Sequence, residues 1–172
     1  MCGILGYLSK DTLKSSEIKL MLDAMNHRGP DGRGVKIFNP THETHLYFGH
    51  VRLSILDLSD LGSQPMVYMN RYWITFNGEI YNFKELREEL KLKGYSFTSD
   101  TDTEVLLAAY KEWNHRCLSK LNGMFAFSIY DIESKEIFIA RDRFGIKPLY
   151  FFYSDEIFAF ASEIKSLMAN KK

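Results

Sequence analysis

The sequence predicts an α+β domain in which a few helices cover the outer faces of antiparallel sheets. Three observations carry that expectation. Strand-like segments come in groups and do not alternate one-for-one with helices, as a doubly wound parallel sheet would require. The helical segments number two or three, and each shows a single apolar stripe, the pattern of a helix lying on a sheet. The 172 residues are 45% hydrophobic and 26% charged, a balance that excludes a disordered, collagen-like or coiled-coil chain and suffices for one core.

The elements follow in order. Ile4 to Leu8 reads as a strand. Ser15 or Ser16 can cap a helix with Ile18, Met21, Leu22 and Met25 on one face. His27-Arg28-Gly29-Pro30-Asp31-Gly32 is then a breaker-rich loop, suited to a mobile flap over a site. Strands are expected at Gly34 to Phe38, His45 to His50 and Tyr72 to Phe76, rich in aromatic and β-branched residues and bounded by Gly, Asn, Asp or Pro. Asn82 with Glu85 is a capping pair ahead of Leu86 and Leu90, and Gly94 stops that helix. Thr101 with Glu104 repeats the signal before Leu106, Ala109, Tyr110 and Trp113. From Met124 to Asp131, Phe125, Phe127 and Ile129 alternate with their neighbours. Glu136 to Ala140, Leu149 to Tyr153 and Phe158 to Ala161 follow, and the set reads as a meander. No repeat, low-complexity tract or linker interrupts the chain, so residues 1–172 read as one domain.

Charge and cysteine content narrow the function. Lys plus Arg equals Asp plus Glu at 22 each, so no net field favours nucleic acid or an anionic membrane surface. The longest strongly apolar run, Val105 to Tyr110, is far shorter than the ~18 residues of a membrane span. The opening residues lack a basic segment and a long apolar core, and Cys2 and Cys117 are too few for a disulfide framework. A cytoplasmic protein acting on a small molecule or another protein is expected.

Several residues can carry chemistry. Removal of Met1 would leave Cys2 with a thiol and a free α-amine, a nucleophile and a base on one residue, with ordinary pKa values of ~8.5 and ~7.7 to 8.0. The plain alternative is a small buried residue opening a strand. Asn77-Gly78-Glu79 sets a side-chain amide and an unhindered N–H at a strand end, the donor pair of an oxyanion hole, although Asn-Gly is equally the residue pair of a tight hairpin. Arg52 can present its fork to a carboxylate and Asp102 can receive an ammonium, which together recognise an α-amino acid. Separately they read as half of a surface ion pair and as a first-turn helix residue. His42 and His45 lack further placed ligands, so no metal site is expected. Asp142 to Pro148 reads as a structural turn, and the Phe and Tyr alternation as sheet core.

In order along the chain, Cys2-Gly-Ile-Leu-Gly, His27 to Gly32, Arg52-Leu-Ser-Ile-Leu-Asp57, Gln64-Pro65-Met66, Phe76 to Asn82, Asp100 to Glu104 and Ala140 to Leu149 resemble the glutaminase domain of class II glutamine amidotransferases. Leu53, Ser54 and Ile55 after Arg52 look like the asparagine synthetase branch, because sugar-phosphate and purine amidotransferases usually carry an aromatic residue there. The resemblance implies an N-terminal-nucleophile hydrolase fold, a four-layer sandwich of antiparallel sheets between helices. It implies Cys2 as nucleophile, Asn77 and Gly78 as oxyanion hole, Arg52 on the glutamine α-carboxylate, and Asp102 and Glu79 at the α-amino end. Leu53, Ser54, Ile55 and Leu56 would line the pocket. No cofactor is implied for this domain. ATP and Mg are expected only in a C-terminal synthetase (ATP-pyrophosphatase) domain absent from this chain, a partner supplied in cis or in trans. Glutamine is the implied substrate and a homodimer a possible assembly.

Overall fold

The computed structural model describes residues 1–54 and 59–170. Two antiparallel sheets form its centre. The first has five strands in the order β2 (Gly32–Phe38), β3 (His45–Arg52), β1 (Gly3–Ser9), β9 (Ile157–Ala161) and β8 (Tyr150–Tyr153). The second has four, β4 (Met66–Tyr68), β5 (Tyr72–Ile80), β6 (Gly123–Asp131) and β7 (Glu136–Arg141). Helices α1 (Ser15–Asp23) and α4 (Ile164–Met168) cover the first sheet, and α2 (Phe83–Leu92) and α3 (Asp102–Trp113) the second. Among the described residues no helix is long and apolar enough to cross a membrane.

Side-chain alternation assigns the layers. In β1, Ile4 faces the second sheet together with Phe48 and Phe160, whereas Leu5 and Tyr7 face α1 with Met21 and Leu22. In β5, Ile74, Phe76 and Ile80 pack on α2 and α3, which leaves Trp73, Thr75 and Asn77 on the inter-sheet side. The expected alternation of Phe125, Phe127 and Ile129 in β6 is present and points at α3. Among the described residues, polar links cross the middle between the sheets. Thr75 Oγ1 donates to Gly49 O at 3.0 Å, and His50 Nε2 to Phe76 O at 3.1 Å.

Four expectations are corrected. The last four strands are not a meander: β6 and β7 form a hairpin in one sheet and β8 and β9 in the other, because the Asp142–Pro148 turn carries the chain across the sandwich. Neither Ser15 nor Ser16 caps α1. Lys14 is the N-cap, and Glu17 Oε2 accepts its N–H at 2.7 Å. Asn82 precedes α2 but its side chain instead bridges Lys120 O and Asn122 N–H. The His27–Gly32 loop is not a free flap, since Arg28 Nε donates to Glu163 Oε1 at 2.6 Å and Asp31 N–H to Arg52 O at 3.0 Å. Thr101 does cap α3, accepting Glu104 N–H.

Candidate active site

Cys2 lies one residue before β1, where continuing the Gly3↔Val51 register sets it opposite Arg52 at the end of β3. Its sulfur sits against the backbone of Leu53, which donates an N–H at 3.4 Å and accepts the thiol at 3.6 Å. An N–H aimed at sulfur strengthens as the thiol becomes thiolate. Beside it opens a cleft of about 200 Å³ whose walls include Arg52, Asn77, Gly78, Glu79 and Asp102. The volume suits a molecule smaller than the drug-sized ligands of ~300 Å³ and more.

The opposite wall is β5, from the other sheet. The strand runs through Asn77 and Gly78 to Ile80, pairing with β6 throughout, so Asn-Gly is no hairpin turn here. Asn77 is 1% exposed, and its Nδ2 has no hydrogen-bond partner among the described residues. A buried amide without a partner is costly in a structure that otherwise satisfies its polar groups. Gly78 adds a second donor. Phe125, opposite it, turns its N–H and carbonyl to Asp142, so the Gly78 pair is a non-hydrogen-bonded one and its N–H faces away from β6, toward the cleft. A Cβ on Gly78 would overlap Met124 O and Phe125 Cα, so only glycine lets β5 lie this close to β6 at the point where its N–H faces the cleft.

Carboxylates close the far end. Asp102 opens α3 and is 5% exposed; its Oδ2 accepts Ile80 N–H at 2.9 Å. Burial pushes its pKa up to about 6 against the opposing Ile80 and Thr103 donors, and the charge of Glu79 adds to the rise. Two acidic groups around a half-enclosed space can receive one ammonium. At the other side Arg52 Nη1 donates to Ser59 O at 2.9 Å while the residue lines the cleft. Leu53 lines it too. Ser54 does not, its N–H being held by Asp31 Oδ2 at 2.8 Å, and Ile55 and Leu56 lie outside the described residues.

Other cleft residues have no role assigned from the sequence, although Gln64, Thr103 and Lys147 lie inside its motifs. His50, Gln64, Thr103, Met124 and Lys147 reach the cleft from five separate segments. His50 is fully enclosed, and burial brings its pKa down to about 4 despite its bond to the Phe76 carbonyl, with the Arg52 charge acting in the same direction as burial. It is therefore neutral near pH 7, with Nε2 engaged. Lys147 is 6% exposed and reaches Met1 Sδ at 3.4 Å. Cys117 is buried away from the cleft, which pushes its thiol up to about 12. Among the described residues no group of three or more His, Cys, Asp or Glu could hold a metal ion.

A thiol sharing one cleft with an amide that has no partner among the described residues and with an N–H turned away from its neighbouring strand, with a cationic fork on one side and carboxylates on the other, suits attack on an amide of an amino acid. The family model for the glutamine amidotransferase domain matches residues 1–172. The chain belongs to that family. Among relatives of this amidotransferase domain, the glutamine-hydrolysing asparagine synthetase 1 of Bacillus subtilis (strain 168) is 48% identical over 98% of the chain. Asparagine synthetase 3 of the same organism is 40% identical over 99%. The chain spans only 27% and 28% of those two proteins. The solved glutamine phosphoribosylpyrophosphate amidotransferase from B. subtilis superposes with a TM-score of 0.79, at 22% identity, over 98% of this chain and 43% of its own. The amidotransferase domain thus has the N-terminal-nucleophile hydrolase architecture, four layers as expected.

Proposed function

We infer that the domain hydrolyses glutamine to glutamate and ammonia once Cys2 is the first residue. The thiolate of Cys2 attacks the side-chain amide carbon, and the oxyanion is held by Asn77 Nδ2 and Gly78 N–H. The C–N bond breaks as the α-ammonium of Cys2 protonates the leaving nitrogen, giving ammonia and a γ-glutamyl thioester. Water then hydrolyses the thioester and restores the thiol. Arg52 binds the α-carboxylate, Asp102 and Glu79 the α-ammonium, and Leu53 borders the substrate. The buried, unpartnered Asn77 Nδ2 beside Cys2 is the observation that carries this reading.

The ammonia feeds a synthetase domain, in cis or in trans, that makes asparagine from aspartate at the expense of ATP with Mg. The support is the identity to glutamine-hydrolysing asparagine synthetases more than three times this length. A cytoplasmic setting suits the free thiols of Cys2 and Cys117, and association as a homodimer belongs to the same reading.

Retention of Met1 tests the chemistry. An acylated Cys2 nitrogen is no base, and Met1 itself lines the cleft. Protein that keeps Met1 is expected to be inactive, and aminopeptidase trimming to Cys2 to switch on ammonia release from glutamine. Cys2→Ala abolishes release and Cys117→Ala leaves it nearly intact. Full activity with Met1 attached, established by intact mass, would refute the α-amine mechanism.

A further inference from the structure

Gln64 belongs to a sequence motif, Gln64-Pro65-Met66, to which the mechanism above gives no task. Its position is unusual for a residue between elements. β4 pairs with β5 as far as Met66 opposite Ile74, and two residues further the same register would bring Gln64 opposite Phe76. The backbone carbonyl of Gln64 turns instead to β2, where a Cβ on Gly34 would overlap it. The side chain of Gln64 supplies what the ladder lacks, its Oε1 accepting Phe76 N–H at 2.6 Å.

Phe76 directly precedes Asn77. Its carbonyl accepts His50 Nε2–H and its N–H is held by Gln64, so both of its polar groups are fixed on the side away from β6. Along that edge three N–H groups follow at every second residue: Phe76 on Gln64, Gly78 toward the cleft, and Ile80 on Asp102. Gln64 and Asp102 therefore bracket the oxyanion donor. They are also connected, since Gln64 Nε2 donates to Thr103 Oγ1 at 3.5 Å and that hydroxyl to Asp102 Oδ1 at 3.4 Å.

We propose that Gln64 is a positioning residue of the glutamine site: through Phe76 N–H it aims the Asn77 and Gly78 donors, and through Thr103 it ties them to the ammonium-binding Asp102. The inference rests on the reading of Cys2, Asn77 and Gly78 as the hydrolytic centre. Donors that act on the transition state lose their effect on small displacements, whereas ground-state binding by Arg52 and Asp102 survives them. Loss of Gln64 therefore lowers kcat more than it raises KM.

The test compares Gln64→Met, which lacks both polar groups at similar length, with Gln64→Glu, which keeps an acceptor for Phe76 N–H. Both are measured on chains beginning at Cys2, with thermal midpoints recorded alongside. Gln64→Met is expected to lower kcat for glutamine hydrolysis at least tenfold with KM within threefold, and to speed hydrogen exchange of the Phe76 amide at least tenfold. Gln64→Glu is expected to retain kcat within threefold and Phe76 protection near the parent's. If Gln64→Met does not fold, Gln64→Asn, one methylene too short to reach, takes its place. Parental kcat in the Met or Asn variant, or equal losses in Met and Glu variants, overturns the proposal. A parent chain that releases no ammonia from glutamine would instead refute the hydrolytic reading, while Phe76 exchange would still report whether Gln64 holds the strand.

Discussion

The atoms that matter most at the residue scale are those left without partners. Asn77 Nδ2 is one, and removing a single such donor costs ~2.7 to 4 kcal/mol in comparable sites. Asn77→Ala is expected to lower kcat a hundred- to a thousandfold with a much smaller change in KM, and steady-state kinetics separate the two. Asp102 gives a pH signature. Its buried carboxyl binds its proton up to about pH 6 and must be ionised to accept an ammonium, so kcat/KM for glutamine falls as pH drops through that value. Asp102→Asn should erase this acidic limb and lower kcat/KM at pH 8 by at least tenfold, the scale of a charge-assisted hydrogen bond of ~1.5 to 3 kcal/mol. An unchanged limb in the Asn variant would assign it to another group. Motif order named Cys2, Arg52, Asn77, Gly78, Glu79 and Asp102 together, and the fold brings all six to the border of one cleft. For His50, Gln64 and Thr103 the sequence suggested no task, because their contacts depend on register across strands that no local window contains.

Elements differ in how much of themselves they display locally. The alternation in β6 and the Thr101 cap of α3 were readable, since each depends on residues within one turn or one pleat. α3 departed from its expected single stripe. Asp102 through Tyr110 are all buried, because the helix has α2 and β5 around it. Three-residue β4 carried too little pattern to be seen. The turn after β7 is held by side chains at its start, Arg141 on the carbonyls of Gly145 and Lys147 and Asp142 on the backbone N–H groups. The carboxylate of Asp142 accepts N–H groups from Phe125, Phe144, Ile146 and Lys147. Burial works to raise its pKa, and those four donors outweigh it and hold the group below the usual carboxylate range. Asp142→Ala leaves the donors unsatisfied and is expected to destabilise the protein by ~3 kcal/mol. Denaturant unfolding measures it, and a change under ~0.5 kcal/mol, the size of an ordinary surface effect, would mean that water replaces the carboxylate.

For the whole molecule the division of labour between layers matters. Each sheet shares a core with its own helices, and a third cluster with Ile4, Phe48, Phe160 and Tyr130 lies between the sheets. Cys2 and Arg52 come from one sheet, Asn77 and Gly78 from the other, and Asp102 from the helix behind it. Neither half contains a site. Glutamine turnover is then a gauge of a subglobal opening in which the halves part while each keeps its backbone hydrogen bonds. In rising urea, activity should decline before far-UV circular dichroism does. Trp73, whose ring meets Phe38 of the facing sheet at 5.4 Å, should follow activity when its fluorescence is read in a Trp113→Phe background. Superimposable curves from all three probes would show instead that the halves never separate short of global unfolding.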